Sequence, residues 1–481
     1  MKQTVSCLLF VLLFSVSAWA QAQRWNLQEC VQYAIENNIS VKQADVQARL
    51  SALQLKLNKA GQYPNVSLSS NAGYNFGRSI NPATNAFDNQ SIFFSGFQVQ
   101  SGVNLFNWFS QRHAIEASKL DQQAANATTD KARNDIALNV AVAYLQALLA
   151  YEQIEVSNIQ LQQSKLQLEN IRKQVDAGAL PELNAAELEA QVARDSANYI
   201  VSNGTYQQNL VALKALLNLD MATDFEIEKP NVESIPVEPL AALQPQVVYQ
   251  LALQNLPQQR VNQFRYQSAQ KNIQLARANM FPTLSGFLNI GSRYSSLFPD
   301  QQNVSITPTG KFDTLGFVEV TPGNVQPAVR PTFDVSLPNT PFGRQLFDIN
   351  LSQAVGVNLS IPIFNNRQLR TAWDRAKLNA ESIKLQLDQD NLTLQQDIYT
   401  AYNDAVNALQ RYNAAQKAVE ASEKAFNFSQ RRYDVGLLQT IELLTNQNNL
   451  YRTRLDAISA RYEYVFRMKL LEFYKGQGLR L

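Results

Sequence analysis

The 481-residue chain is nearly empty of the residues that carry chemistry. Histidine occurs once, at His113, and cysteine twice, at Cys7 and Cys30. No acidic cluster has metal-ligand spacing, no glycine-rich phosphate loop opens a helix, and no G-x-S-x-G stretch occurs. Metal, phosphoryl-transfer and acyl-transfer chemistry therefore lack their parts. No catalytic residue, metal or cofactor is expected, and His113 reads as a surface or interhelix residue. Charge of one sign is also missing. The 42 basic and 40 acidic side chains leave a net +2, which gives no footprint for nucleic acid. After the N-terminal twenty residues, no stretch approaches the ~20 apolar residues of a membrane-spanning helix. Any membrane crossing must use strands.

The N-terminus reads as an export leader over 1–20. Lys2, the apolar run CLLFVLLFSV and the small-x-small Ala18 to Ala20 precede Gln21. Cys7 lies too early to be a lipidation cysteine, so the protein is not expected to be a lipoprotein. The mature chain then keeps Cys30 alone and has no internal disulfide.

Proline is absent from Ala83 to Leu180 and after Pro362, while nine of the 17 prolines fall from Pro282 to Pro362. Proline lacks the N–H and clashes with the preceding helical turn, so the empty tracts are the long-helix candidates. Internal similarity organises them. Cys30 aligns with Val248 and Tyr63-Pro64 with Phe281-Pro282, a spacing of 218; Leu105-Phe106-Asn107 aligns with Ile363-Phe364-Asn365 and Asp176-Ala177-Gly178 with Asp434-Val435-Gly436, a spacing of 258. The chain is two homologous halves, 21–219 and 247–475, joined by a linker at 220–246 and followed by a tail at 476–481. The second half carries an insertion, expected as a long loop over 295–346.

Each half reads as helix, two strands, long helix, turn, helix. The long helices are expected over 107–175 and 366–433, the turns at 176–180 and 434–438, and the returning helices over 181–219 and 439–474. A 4-3 apolar spacing runs through Val140, Tyr144, Ala147, Tyr151 and Ile154, and recurs 258 residues later in Ile398, Tyr402, Ala405, Leu409 and Tyr412. Sustained 3.5-residue periodicity implies coiled-coil-like seams. Lys165 and Glu423 interrupt them in equivalent registers and are expected to face each other between neighbouring hairpins. Strands are expected over 64–76, 94–106, 282–293 and 348–363. In FQVQSGVNLF and VGVNLSIPIF an apolar face alternates with a small polar one, and Tyr74, Phe76, Phe93 and Phe94 lie near strand ends. Outer-membrane barrel strands alternate in this way, and so does a half-buried antiparallel sheet. Four strands cannot close a barrel, and an open edge is not tolerated in lipid. A membrane reading therefore requires copies of the chain, and three copies would give twelve strands.

The duplicated order, GQYPNVSLS with ANMFPTLSG, LFNW with IPIFNN, and RRYDVGLLQTIELLTNQNNLY resemble the TolC-type outer-membrane efflux proteins over essentially all of Trp25 to Leu481. The resemblance implies a mainly α fold with β: long α-helical hairpins forming a helical barrel, and four transmembrane strands per chain in a shared 12-stranded trimeric barrel. It implies a homotrimer in the outer membrane of a Gram-negative-type cell, in contact with outer-membrane lipid and extending into the periplasm. It further implies a passive exit duct of a tripartite efflux pump, with a periplasmic adaptor and an inner-membrane transporter as partners. The turns Asp176, Ala177 and Gly178, and Tyr433, Asp434, Val435, Gly436 and Leu437, would form the periplasmic mouth and meet the adaptor. The family commonly places an aspartate six residues after the glycine and further acids one turn on. Here the first positions hold Asn184 and Glu442, and the second hold Glu187 and Thr445. Rings of three Glu442 and three Glu187 would constrict the entrance and favour cations. A type I secretion duct has the same chain architecture. A periplasmic coiled-coil scaffold with a small soluble sheet is the reading from a different class, and predicts neither membrane fractionation nor conductance.

Overall fold

The computed structural model describes residues 24–80, 87–229, 238–300 and 302–476. The leader at 1–20, Pro230 and Pro236 of the linker and residues 477–481 of the tail lie outside them. In chain order the first half comprises β1 (Arg24–Trp25), α1 (Leu27–Asn37), α2 (Ile39–Ala60), β2 (Asn65–Ile80), β3 (Phe87–Phe106), α3 (Ser110–Asp176) and α4 (Glu182–Leu217). The second comprises β4 (Glu226–Ile227), a 3-10 turn (Leu240–Leu243), α5 (Pro245–Asn255), α6 (Pro257–Ala278), β5 (Thr283–Ser295), β6 (Ser305–Thr321), β7 (Asn324–Ser336), β8 (Ser352–Ser360), α7 (Gln368–Asp434) and α8 (Thr440–Lys475). Equivalent helices have equal lengths: 11 residues in α1 and α5, 22 in α2 and α6, 67 in α3 and α7, and 36 in α4 and α8.

The chain divides into two compact units. One, comprising residues up to 55, 117–270 and from 378 onward, is helical. Its two cores are copies of one packing solution. Val140, Ala147, Leu213, Cys30 and Ala34 are buried in the first, and Ile398, Ala405, Leu471, Val248 and Ala252 occupy the equivalent places in the second. Alanine at the central contacts lets helix axes approach closely, while each fully buried Ile or Leu contributes ~2 kcal/mol. Along the rim α7 and α8 are stitched by Arg411–Glu463 (2.8 Å), Arg467–Asp404 (2.9 Å) and Arg454–Glu423 (3.1 Å). Glu423 thus pairs inside its own hairpin, with Arg454. An arginine on the returning helix reaches it at a distance no sequence register reveals. The linker is held at two points in this unit: β1 pairs in parallel with β4, and Lys475 Nζ, at the end of α8, bonds Glu238 at 2.9 Å.

The second unit, 56–116 and 271–377, holds a four-stranded antiparallel sheet in the order β2-β3-β5-β8. The register puts Leu68, Val99 and Ile290 in one row and Val66, Leu288 and Val355 in the next-but-one. Because side chains alternate across a strand, one face is apolar, and it stands exposed: Val66 at 71%, Phe76 at 81% and Val355 at 84%. The other face carries Ser67, Asn71, Gln98, Gln100, Asn289 and Asn358. Two aromatic rings close over glycines on it; a Cβ at Gly73 would stand 2.9 Å from the Phe94 ring, and one at Gly356 2.8 Å from Phe287. Aromatic belts mark both ends of the sheet. Tyr74, Phe93, Tyr294 and Phe342 run in contact at one end, and Phe106, Trp108 and Phe281 at the other.

Where strand turns into helix, both halves use the same uncommon backbone. Trp108 and Phe109 have φ of 50° and 63°, as do Asn366 and Arg367. Consecutive left-handed residues other than glycine cost ~1–2 kcal/mol each. The aromatic packing of Trp108 on Phe281 (4.9 Å) and the first helical bonds, Ser110 N–H to Asn107 O and Gln368 N–H to Asn365 O, hold the corner.

The insertion differs from the expected loop. Over 305–336 it forms an antiparallel hairpin, β6 with β7. Proline misleads here because every strand of a two-stranded ribbon is an edge, and alternate N–H groups have no ladder partner for proline to remove. Pro327 and Pro331 share one parity of β7. The base of the hairpin is tied down: Thr340 N–H bonds Phe298 O at 2.9 Å, Arg344 pairs with Asp300 at 3.0 Å, and the buried Gln345 side chain bonds Ser295 and Thr340.

Among the described residues no helix is long and apolar enough to cross a membrane. Burial pushes the Cys30 thiol up to about 12, so it stays protonated and shielded at pH 8, where the thiolate is the reacting species. Native protein carrying Cys7→Ser should therefore resist maleimide at pH 8 and label once after unfolding in urea. Rapid native labelling would contradict the burial of α1 against α3.

Candidate functional site

At each hairpin tip the long helix ends in one hydrogen-bond pattern. Gly178 N–H donates to Val175 O and Ala179 N–H to Gln174 O, both at 2.8 Å; Gly436 N–H donates to Tyr433 O and Leu437 N–H to Arg432 O, both at 2.9 Å. These are Schellman closures, which need a left-handed residue just past the helix. Gly178 and Gly436 supply it at φ 72° and 73°. Nothing lies within 4 Å of a Cβ added at either, so the backbone angle demands glycine and crowding does not. Lys173, Arg431 and Arg432 sit in the last turns, where cations oppose the helix dipole, and Arg172 pairs across to Glu189. Pro181, expected in the first turn of the returning helix, stands at its N-cap with φ −67°.

The two tips pack together. Leu444 of α8 lies with Ile171, Ala185 and Leu188 of the first hairpin, and Tyr433 packs against both this cluster and the one holding Phe426, Leu443 and Leu450. The Tyr433 hydroxyl also bonds Thr440 Oγ1 at 3.2 Å, tying the helix end to the next helix start. A cleft of about 640 Å³ opens between the tips, and its lining includes Asn184, Glu187, Tyr433, Asp434, Gly436 and Thr440.

Of the residues singled out in sequence, the structure brings Asn184 and Glu187 together with the second turn. Glu442 and Thr445 are exposed on α8 and do not line that cleft. Thr445 Oγ1 donates to the Ile441 carbonyl at 2.8 Å, and Asn446 Nδ2 donates to the Glu442 carbonyl at 3.1 Å. Asp176, Ala177, Asp434, Val435 and Leu437 are exposed, as are Leu183 and Ile441 beside them. The tip surface is thus apolar in patches and ringed by charge. Among the described residues no group of His, Cys, Asp and Glu could hold a metal.

Further along the helices lies a feature sequence reading missed. Asp195 of α4 is 1% exposed. Its carboxylate accepts from Ser164 Oγ, from Gln191 Nε2 at 2.9 Å and from Gln160 Nε2 at 3.4 Å. Gln191 exchanges bonds with Asn448 of α8 at 3.0 and 3.2 Å, and Ser157 meets Ser202 and Tyr451 at 3.1 and 3.0 Å. Three helices are thereby locked through polar side chains inside a seam. The available signal was the Ser157, Gln160, Ser164 spacing, a polar stripe of helical period directly beside the apolar seam.

A family model described as outer membrane efflux protein matches residues 30–219 and 248–473. No curated protein matches the chain by sequence. Among solved structures, CusC superposes with a TM-score of 0.75 at 16% identity, covering 96% of both chains; its description concerns transmembrane channel formation. The outer membrane protein VceC from Vibrio cholerae gives 0.69 at 15% identity over 94% of this chain and 97% of that one. The Campylobacter jejuni CmeC outer membrane channel gives 0.71 at 17% over 94% and 86%. At such identities the likeness carries the fold alone.

The polar lock makes a contrast that thermal unfolding can read. Asp195→Ala strands Ser164 and Gln191 in a closed seam and should cost ~1–3 kcal/mol, whereas Asp434→Ala at the exposed tip should stay within ~0.5 kcal/mol. Equal melting shifts would show that the lock does not exist in solution.

Proposed function

Because the chain belongs to the outer membrane efflux protein family, we propose that three copies form a passive exit duct in the outer membrane of a Gram-negative-type cell, serving a tripartite efflux pump. The observation that carries this reading is the four-stranded sheet. It presents an exposed apolar face, belts of aromatic side chains at both ends, and β2 and β8 each paired on one side only. In hydrocarbon each unpaired backbone group costs several kcal/mol, so the edges must be joined to other copies. Twelve strands close a barrel with Ser, Asn, Gln and Gly on its inside, a lining suited to an aqueous passage.

The tips serve as the gated mouth. Val435, Leu437, Leu183 and Ile441 offer an apolar surface to the coiled-coil end of a periplasmic adaptor, which in turn joins an inner-membrane transporter. Glu187, within the cleft with Asn184, and Glu442, exposed on α8 near Thr445, supply two rings of three carboxylates when the chain is repeated about a three-fold axis. Rings of one sign concentrate cations at a constriction. The assembly does no bond-making chemistry; the pump chooses the cargo and drives it, and this chain supplies the path.

In planar bilayers the purified protein should show a small, cation-selective conductance. Glu442→Gln combined with Glu187→Gln should lower the cation-to-anion permeability ratio several-fold. Unchanged selectivity would remove the carboxylate rings, and the absence of any conductance together with absence from the outer-membrane fraction would favour a periplasmic scaffold.

A further inference from the structure

The β6–β7 hairpin has two unlike faces. Paired residues of an antiparallel ribbon point the same way and successive ones alternate. By the register, Phe312 and Phe317 share a face with Val325, Val329, Phe333 and Val335, and Ile306, Pro308, Pro327 and Pro331 fall on the same side, interrupted by Thr314 opposite Val329 and by Glu319 opposite Val325 near the turn. Thr307, Asp313, Arg330 and Asp334 fall on the other, with Val318. Among the described residues nothing covers this face: Phe312 is 64% exposed, Phe317 72% and Val329 50%. A two-stranded ribbon alone in water is marginally stable, and a contiguous apolar face of this kind marks an interaction surface.

Three observations identify its occupant. The hairpin is inserted between β5 and β8, at the end of the sheet opposite the helix junctions, and its base is fixed by Asp300, Thr340, Arg344 and Gln345. Its root therefore lies one strand from the open side of β8, the seam at which a neighbouring copy adds. Prolines on both strands discourage edge-to-edge strand addition, so contact is made face to face. The charges over 305–336 are Lys311 and Arg330 against Asp313, Glu319 and Asp334, which supplies no basic rim for an anionic lipid surface. A second copy satisfies all three, and hairpins tethered around one mouth meet at high effective concentration.

We propose that the apolar faces of the three β6–β7 hairpins pack against one another about the three-fold axis, forming a hairpin bundle over the outer mouth. The inference rests on the trimeric channel reading and adds to it an interface outside the barrel wall. Facing inward at equal height, each residue of the apolar face meets its own copies, so Val329 approaches Val329 while Arg330 points away.

The test uses the full chain in a Cys7→Ser background with Val329→Cys or Arg330→Cys, both at surface positions that leave folding intact; native Cys30 is buried. After oxidation with copper phenanthroline, Val329→Cys should give a two-chain disulfide band, one pair per trimer, and Arg330→Cys should remain single. A native mass of three chains with neither variant cross-linking would overturn the bundle and leave the channel standing. In that case, protection of Val329→Cys from a water-soluble maleimide by lipid would identify membrane as the occupant, and free labelling would identify a bare face. A native mass of one chain would overturn the channel and the bundle together.

Discussion

A backbone N–H or C=O that enters hydrocarbon without a partner has no water to turn to, and the penalty is several kcal/mol per group. The whole molecule is organised around that constraint. β2 and β8 each present one unpaired edge, and no rearrangement of four strands can hide both. Joining edges between copies, as in the proposed trimer, removes the penalty. Within each chain the coiled-coil seams, the matched helix lengths and the common hairpin closures repeat one building plan twice.

Duplication within the chain shows how strongly the backbone is specified. The same left-handed pair appears at Trp108 and Phe109 and at Asn366 and Arg367, although the side chains share almost nothing. Asparagine tolerates that conformation readily; tryptophan and phenylalanine are held there by aromatic packing. The two halves diverge in particular side chains and in one insertion. Asn184 stands where Glu442 stands in the other half, the hairpin insertion exists in one half only, and the Asp195 lock has Thr453 in the matching register of α8. Backbone geometry is repeated, and side-chain chemistry at these positions is not.

What could be read in the sequence was whatever depends on backbone economy. A glycine past a proline-free tract with basic residues just before it has few interpretations other than a helix end, and Gly178 and Gly436 close their helices in that way. The alternation of Val355, Val357 and Leu359 with Gly356 and Asn358 was legible because a strand must divide its side chains between two faces. Two kinds of feature were not legible. Side-chain partners between distant helices depend on packing distances, so the Glu423–Arg454 pair and the Asp195 lock emerge only in three dimensions. The β6–β7 hairpin was hidden because proline is read as a breaker, and the exception for unpaired edges applies only once the number of strands in the ribbon is known.

Backbone hydrogen exchange along the sheet tests edge closure most directly. In the detergent-purified assembly, closure by copies predicts that the amides of β2 and β8 are protected as strongly as those of β3 and β5, because every strand then has two neighbours. Fast exchange confined to alternate amides of β2 and β8, with β3 and β5 protected, would mean that the edges stay open, and that result would contradict a shared barrel.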